Sequence, residues 1–175
     1  FFLPPINLNG SPSIGKTFFV KSLSKILQTD YYDLAVSTLI SSHELTGLSR
    51  YWGNASTGLL FNNIIKKANY AESVLLLDEI CKANYVLNNN GSNISNVLIQ
   101  LMDKEQAKTL TETFLDIEID MSRLLIIFTS NTVEKLPDVV RSRIVNFNIE
   151  KPDKDQLHII IQSITNNILE ELQIK

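Results

Sequence analysis

Eight residues, Gly10-Ser11-Pro12-Ser13-Ile14-Gly15-Lys16-Thr17, constrain this chain more than any other stretch. They fit G-x-x-x-x-G-K-[ST], a loop that holds phosphate through its own backbone. Gly10 and Gly15 let the main chain turn tightly and approach an anion with no Cβ in the way. The N–H groups of residues 10–17 then point inward and cradle phosphate oxygens. A helix starting near Gly15 adds its positive dipole end. Lys16 is placed to reach the β- and γ-phosphates, and the Thr17 hydroxyl to hold Mg²⁺. The flanks agree with this. Residues 5–9 read as a short strand entering the loop. Residues 18–27 read as a helix leaving it, with Phe19, Val20, Leu23, Ile26 and Leu27 at helical spacing.

A motif of this kind sits at the edge of a parallel sheet, and the rest of the chain supplies one. Residues 31–37 and 144–148 read as strands, and residues 115–120 alternate as a half-exposed strand does. Two unbroken apolar runs, at 73–78 and 123–130, suggest central strands buried on both faces. Between them lie candidate helices at 59–68, from about Asn93 with Ile94, Val97, Leu98 and Leu101 as a stripe, and at 136–142. Residues 88–92 are a loop by composition, and Ser92 or Asn93 is positioned to cap the helix that follows. Lys151-Pro152 breaks the chain. Asp153 then opens a last helix, with Gln156 in the capping-box position and a stripe of Leu157, Ile160, Ile161, Ile164, Ile168 and Leu172. Strands alternating with helices imply a doubly wound α/β sheet. Ligands bind such sheets outside the carboxyl ends of the strands.

Three features fall at those ends. Asp78 closes a buried strand facing the loop, where an acid would hold Mg²⁺ with Thr17, directly or through water. Glu79 follows it, a carboxylate able to take a proton from an attacking water. Asn131 ends the next buried strand, where an amide orients water or bonds the γ-phosphate. Of four arginines, Arg141 and Arg143 precede the last strand. Either would reach a neighbouring subunit's phosphate as an arginine finger, with Arg143 favoured.

Composition excludes several classes. The 175 residues suffice for one sizeable core, and the net charge of −3 offers no overall basic footprint for nucleic acid. A single cysteine, Cys81, rules out an internal disulfide and fits a reducing, cytoplasmic setting. No apolar run has the length of a membrane span. His43-Glu44 is not a zinc motif, because position 47 is Gly. A first residue other than Met, almost at the first strand, reads as a piece of something longer.

The strings GSPSIGKT, VLLLDE, FTSN and VVRSRI together resemble the Walker A, Walker B, sensor-1 and arginine-finger regions of an AAA+ ATPase module, over roughly residues 4–150. Within that group, LLLDEICKAN and LMDKEQAKTLTETFLDIEID are similar to segments of the ATPase domain of Lon-type proteases. The resemblance implies a P-loop NTPase fold with a mainly parallel five-stranded sheet flanked by helices. It implies a nucleotide-binding domain at 1–150 and, at 151–175, the first helix of a small, truncated lid. It implies ATP and Mg²⁺ as ligands, a homo-oligomeric ring (a hexamer in the family) and a polypeptide substrate. A protease domain, absent from this chain, would lie beyond its C-terminus. LTGLSRYWGNASTG resembles the family's pore loop, which carries over to Tyr51, Trp52 and Gly53, although these aromatics could instead pack against their own domain. Cys81 departs from the pattern, standing where the family usually has an acid. Two other readings stay open: an AAA+ nucleotide switch acting on nucleic acid or complex assembly, and a non-hydrolysing scaffold.

Overall fold

A computed structural model describes residues 3–83, 85 and 93–171 of the chain; the loop expected at 88–92 and Leu172 lie outside them. In chain order the regular elements are β1 (Ile6–Gly10), α1 (Lys16–Leu27), β2 (Tyr31–Ala35), α2 (His43–Thr46) and β3 (Val74–Asp78). Then come α3 (Ile94–Met102), α4 (Lys104–Ala107), β4 (Leu110–Glu112), β5 (Ile117–Ile119), β6 (Leu125–Ser130), α5 (Asp138–Arg141), β7 (Val145–Ile149) and α6 (Lys154–Glu171). Five strands form one sheet in the order β2-β3-β6-β1-β7, and every pairing in it is parallel. This is the doubly wound arrangement expected from the alternation of strands and helices.

The two apolar runs occupy the middle of the sheet. Leu75 and Leu77 of β3 join Ile126 and Phe128 of β6 in the larger core, with α3 and α5 residues such as Leu98 and Val140. Val74 and Leu76, one residue out of phase, join Leu125, Ile127, Leu8 and Val20 on the opposite face. A strand covered on both faces has no polar side to alternate with, so its sequence is continuous hydrophobe.

α1 departs from its expected stripe. Only Val20 and Ser24 are buried, with Leu23 packed beside them, while Phe19 and Ile26 are 54% and 78% exposed. One helix on this face of the sheet buries a narrow strip of itself, and the remaining apolar positions lie outside it. The helix ends in a left-handed Gln28, where the Thr29 N–H reaches the Ser24 carbonyl and the Gln28 N–H that of Lys25, a Schellman closure without glycine. α6 begins as expected: the Asp153 and Gln156 side chains each accept the other's backbone N–H, at 2.8 and 3.0 Å. Its apolar residues Leu157, Ile160, Ile161, Ile164 and Ile168 are all well exposed.

Several spans shorten or change: the strands expected at 31–37 and 123–130 contract to β2 and β6, with a short 3-10 turn at Val36–Thr38. The helix expected at 59–68 carries a π-turn over Phe61–Ile65, with Lys66 N–H bonded to the Phe61 carbonyl. The helix at 136–142 contracts to α5, since Leu136 and Pro137 are extended. The strand at 115–120 contracts to β5, because Asp116 at φ 58° belongs to a turn. It pairs antiparallel with β4, Leu110 opposite Ile119, in a hairpin separate from the main sheet.

Candidate active site

β1, β3 and β6 lie side by side in the sheet, with β6 in the middle, so their C-terminal ends converge. A cavity of about 430 Å³ opens there, lined by Pro12, Ser13, Gly15 to Phe18, Asp78, Glu79, Thr129 and Asn131. The residues selected by spacing alone as phosphate cradle, Mg²⁺ ligands, base and polar sensor therefore meet in one place.

Backbone geometry explains the two glycines. A Cβ on Gly10 would lie 2.5 Å from the Ile149 carbonyl oxygen and 2.6 Å from Ile14 Cδ1. Gly15 caps α1 at φ 95°, a conformation that side-chain-bearing residues avoid. Ser13, at φ 61°, makes a second left-handed turn in the loop. Ser11 and Ile14 complete it, half-buried.

Lys16 bridges the loop and the neighbouring strand. Its Nζ donates to the Gly10 carbonyl at 2.6 Å, the Ser11 carbonyl at 3.0 Å and Asn131 Oδ1 at 2.9 Å. Burial pushes its ammonium below the ordinary lysine range, while Asp78, Cys81 and Glu79 pull it back up. Asn131 is held from behind by Cys81, whose Sγ accepts the Asn131 N–H at 3.4 Å.

The two acids are organised by a residue that spacing did not single out. The Thr129 hydroxyl, 1% exposed as a residue, donates to Asp78 Oδ1 and accepts the Glu79 N–H at 2.9 Å. It thereby holds Glu79 at φ 56°, a strained value for a residue with a Cβ. The only signal in the sequence was a pair of hydroxyls, Thr129 and Ser130, closing an apolar run just before Asn131. The Glu79 side chain is tied by Lys82 Nζ on Oε1 and by the Ser37 hydroxyl on Oε2 at 3.3 Å. The Lys82 bond holds its carboxyl below the usual carboxylate range, assisted by Ser37 and by the Lys82 and Lys16 charges against the opposing effect of burial.

A Thr129→Val variant keeps the shape and removes both bonds. It is expected to lose about 1–3 kcal/mol of stability, the cost of stranding the Asp78 and Glu79 groups. Thr129→Ser should recover most of it. Urea denaturation of the three proteins checks this; a valine variant as stable as the parent would mean that the hydroxyl organises nothing.

The other candidates lie away from this cavity. Arg143 bonds the Val139 carbonyl at 2.7 Å, and Arg141 pairs with Asp138. Neither lines the cavity. Tyr51 is 99% exposed and Trp52 66%, and among the described residues nothing lies within 4 Å of where a Cβ on Gly53 would stand. Among the described residues nothing covers Tyr51, and Trp52 is covered only in part.

A glycine-bounded loop between a strand and a helix, with its lysine facing an acid pair across a parallel sheet, defines a P-loop nucleotide-binding protein. The chain belongs to the AAA family, described as the ATPase family associated with various cellular activities, whose model matches residues 6–152. Among curated relatives, it is 30% identical over 135 residues to the mitochondrial Lon protease homolog of Drosophila melanogaster, covering 77% of this chain and 13% of that protein. It is 28% identical over 178 residues to Lon protease 2 of Bdellovibrio bacteriovorus, covering 98% and 22%. The chain thus spans less than a quarter of the length of these relatives. In fold it is similar to the Thermotoga maritima RuvB Holliday junction branch migration motor, with a TM-score of 0.59 at 19% identity, covering 95% of this chain and 44% of that one. A mutant of the same RuvB gives 0.62 at 18% identity.

Proposed function

We propose that this chain is the ATP-hydrolysing motor module of a Lon-like protein unfoldase, working as a ring on polypeptide. The observation that carries the reading is the meeting of Lys16, Thr17, Asp78, Glu79 and Asn131 around one cavity. The cradle fits a nucleoside triphosphate: glycines stand where a Cβ would collide or strain, and a lysine lies within the loop. The donor set fits Mg²⁺, which takes one or two protein oxygens and fills its remaining positions with phosphate and water. Thr17 and Asp78 would be those protein oxygens, and the bound ion would neutralise charge on the β- and γ-phosphates.

In this reading residues 10–17 bind the phosphates and Lys16 reaches the terminal ones. Glu79 takes the proton of the attacking water, and Asn131 orients that water or the γ-phosphate. A cleft of about 370 Å³ beside the loop, lined by Ile14, Glu150, Pro152, Gln156, Ile159 and Ile160, is apolar enough for the base. Residues 1–150 would be the nucleotide-binding domain and α6 the first helix of a lid, which its exposed apolar residues support. Arg143, on the surface away from the cavity, suits a finger reaching a neighbouring copy's phosphates in a hexameric ring. A reducing, intracellular setting fits the one free cysteine, and among the described residues no helix is long and apolar enough to cross a membrane. A protease domain would belong to the longer protein.

Tyr51, Trp52 and Gly53 would grip the substrate, since rigid exposed aromatics give contact area without demanding a partner sequence. Replacing Tyr51 and Trp52 together by Ala in the assembled protein is expected to cut polypeptide unfolding by about 30-fold or more, the scale of losing an aromatic hot spot. Unchanged unfolding with unchanged ATP turnover would overturn the assignment.

A further inference from the structure

Glu112 is a carboxylate only 1% exposed, on the short hairpin strand β4, and it does not line the nucleotide cavity. Its two oxygens are used on different segments. Oε1 accepts the Gly58 N–H at 2.9 Å, and Oε2 accepts the Leu115 N–H at 2.6 Å. Gly58 and Gly47 are the two roots of the loop that carries Tyr51 and Trp52. Both roots are buried and tightly packed: a Cβ on Gly47 would collide with the Glu112 carboxylate, and one on Gly58 with the Leu45 carbonyl. The Leu48 N–H donates to the Ser56 carbonyl at 3.0 Å and closes the loop just beyond them.

A second tie joins the same two segments from the other side. Arg50, next to Tyr51, donates from Nε to the Phe114 carbonyl at 2.6 Å and from Nη2 to the Leu115 carbonyl at 3.3 Å. Its guanidinium stands 5.3 Å from the centroid of the Phe114 ring. The Thr113 N–H adds a bond of 2.7 Å to the Thr46 carbonyl, just before the first root. Arginine gives up little freedom per bond in such a fork, because its planar head is already organised.

We propose that the β4–β5 hairpin is the mount of the aromatic loop: Glu112 and Arg50 lock the two into one body, so Tyr51 and Trp52 move only as the hairpin moves. The physical need is plain. A loop whose tip is almost wholly exposed has no packing of its own to hold a position, and side chains that are to transmit force require a stiff base. A buried carboxylate accepting two backbone N–H groups supplies one. It joins segments more than fifty residues apart, and no apolar side chain could replace it without stranding both donors. The mount stands on its own geometry; its consequence for substrate rests on the gripping role proposed above.

Glu112→Gln tests it. An amide offers one acceptor oxygen and turns an NH₂ toward the other N–H. Trp52 is the only tryptophan in the 175 residues, so fluorescence anisotropy reads this loop alone. In the variant, anisotropy should fall, and hydrogen exchange across residues 48–58 should quicken by about tenfold or more, with β3 and β6 unchanged. Arg50→Lys should do the same more weakly, and it becomes the test if Glu112→Gln does not fold. Leu98→Ala, a core truncation, is the control: it should lower stability without freeing Trp52. Faster exchange confined to residues 113–116, with Trp52 as rigid as before, would overturn the mount. A freed Trp52 with undiminished polypeptide unfolding would leave the mount standing and remove the gripping role.

Discussion

Glu79→Gln is expected to lower ATP turnover by about 100- to 10,000-fold, the contribution of a positioned general base, while ATP still binds. The substitution is nearly isosteric, and the Glu79 N–H remains on the Thr129 hydroxyl. The phosphate cradle of residues 10–17 is untouched, so the loss should fall on turnover and spare affinity. Steady-state hydrolysis beside calorimetric ATP binding separates the two; full turnover in the variant would remove Glu79 from its proposed role. The pH profile carries a further sign. Lys82 and Ser37 hold the Glu79 carboxyl below its ordinary value. The ionised base therefore persists as pH falls, and the acid limb of kcat/KM should lie below the usual carboxylate range. Lys82→Met removes the main cause, so it should move that limb to higher pH.

Lys16→Ala should weaken ATP binding by about 2–5 kcal/mol, roughly 30- to 5,000-fold, the range for truncating one side of a desolvated charge pair. The free protein shows why the lysine matters. Its ammonium is already partly drawn out of water, and it bonds the Gly10 and Ser11 carbonyls and Asn131, acceptors that carry no charge. A triphosphate supplies anionic oxygens in their place, so the ammonium gains an opposite charge as well as an acceptor. The alanine variant should remain folded, since the loop's shape comes from Gly10, Ser13 and Gly15. Calorimetric titration with a non-hydrolysable ATP analogue tests the prediction, and undiminished affinity would contradict the site.

Much of this was legible in the chain itself because it is local. The phosphate loop is eight consecutive residues, and the place of Gly15 in it follows from its own backbone at φ 95°. The runs at 74–78 and 125–130 are apolar because each strand meets helices on both faces, and Asp153 with Gln156 caps α6 within a single turn. These features depend on residues a few positions apart, and spacing records them.

Tertiary structure decided the rest. The Thr129 bridge between the two acids spans 50 and 51 positions, the Ser37 contact to Glu79 spans 42, and the Glu112 clasp on Gly58 spans 54. The first depends on β3 and β6 becoming neighbours in one register, and a one-residue slip would turn the Thr129 side chain to the opposite face; the other two depend on turns that the fold brings beside distant segments. The same holds for what stays uncovered. The chain's own spacing marked Phe19 and Ile26 as one face of a helix, and the sheet had room for only part of that face. Sequence determined the chemistry each segment carries; folding determined which segments share it, because hydrogen-bond partners and burial are properties of neighbours in space.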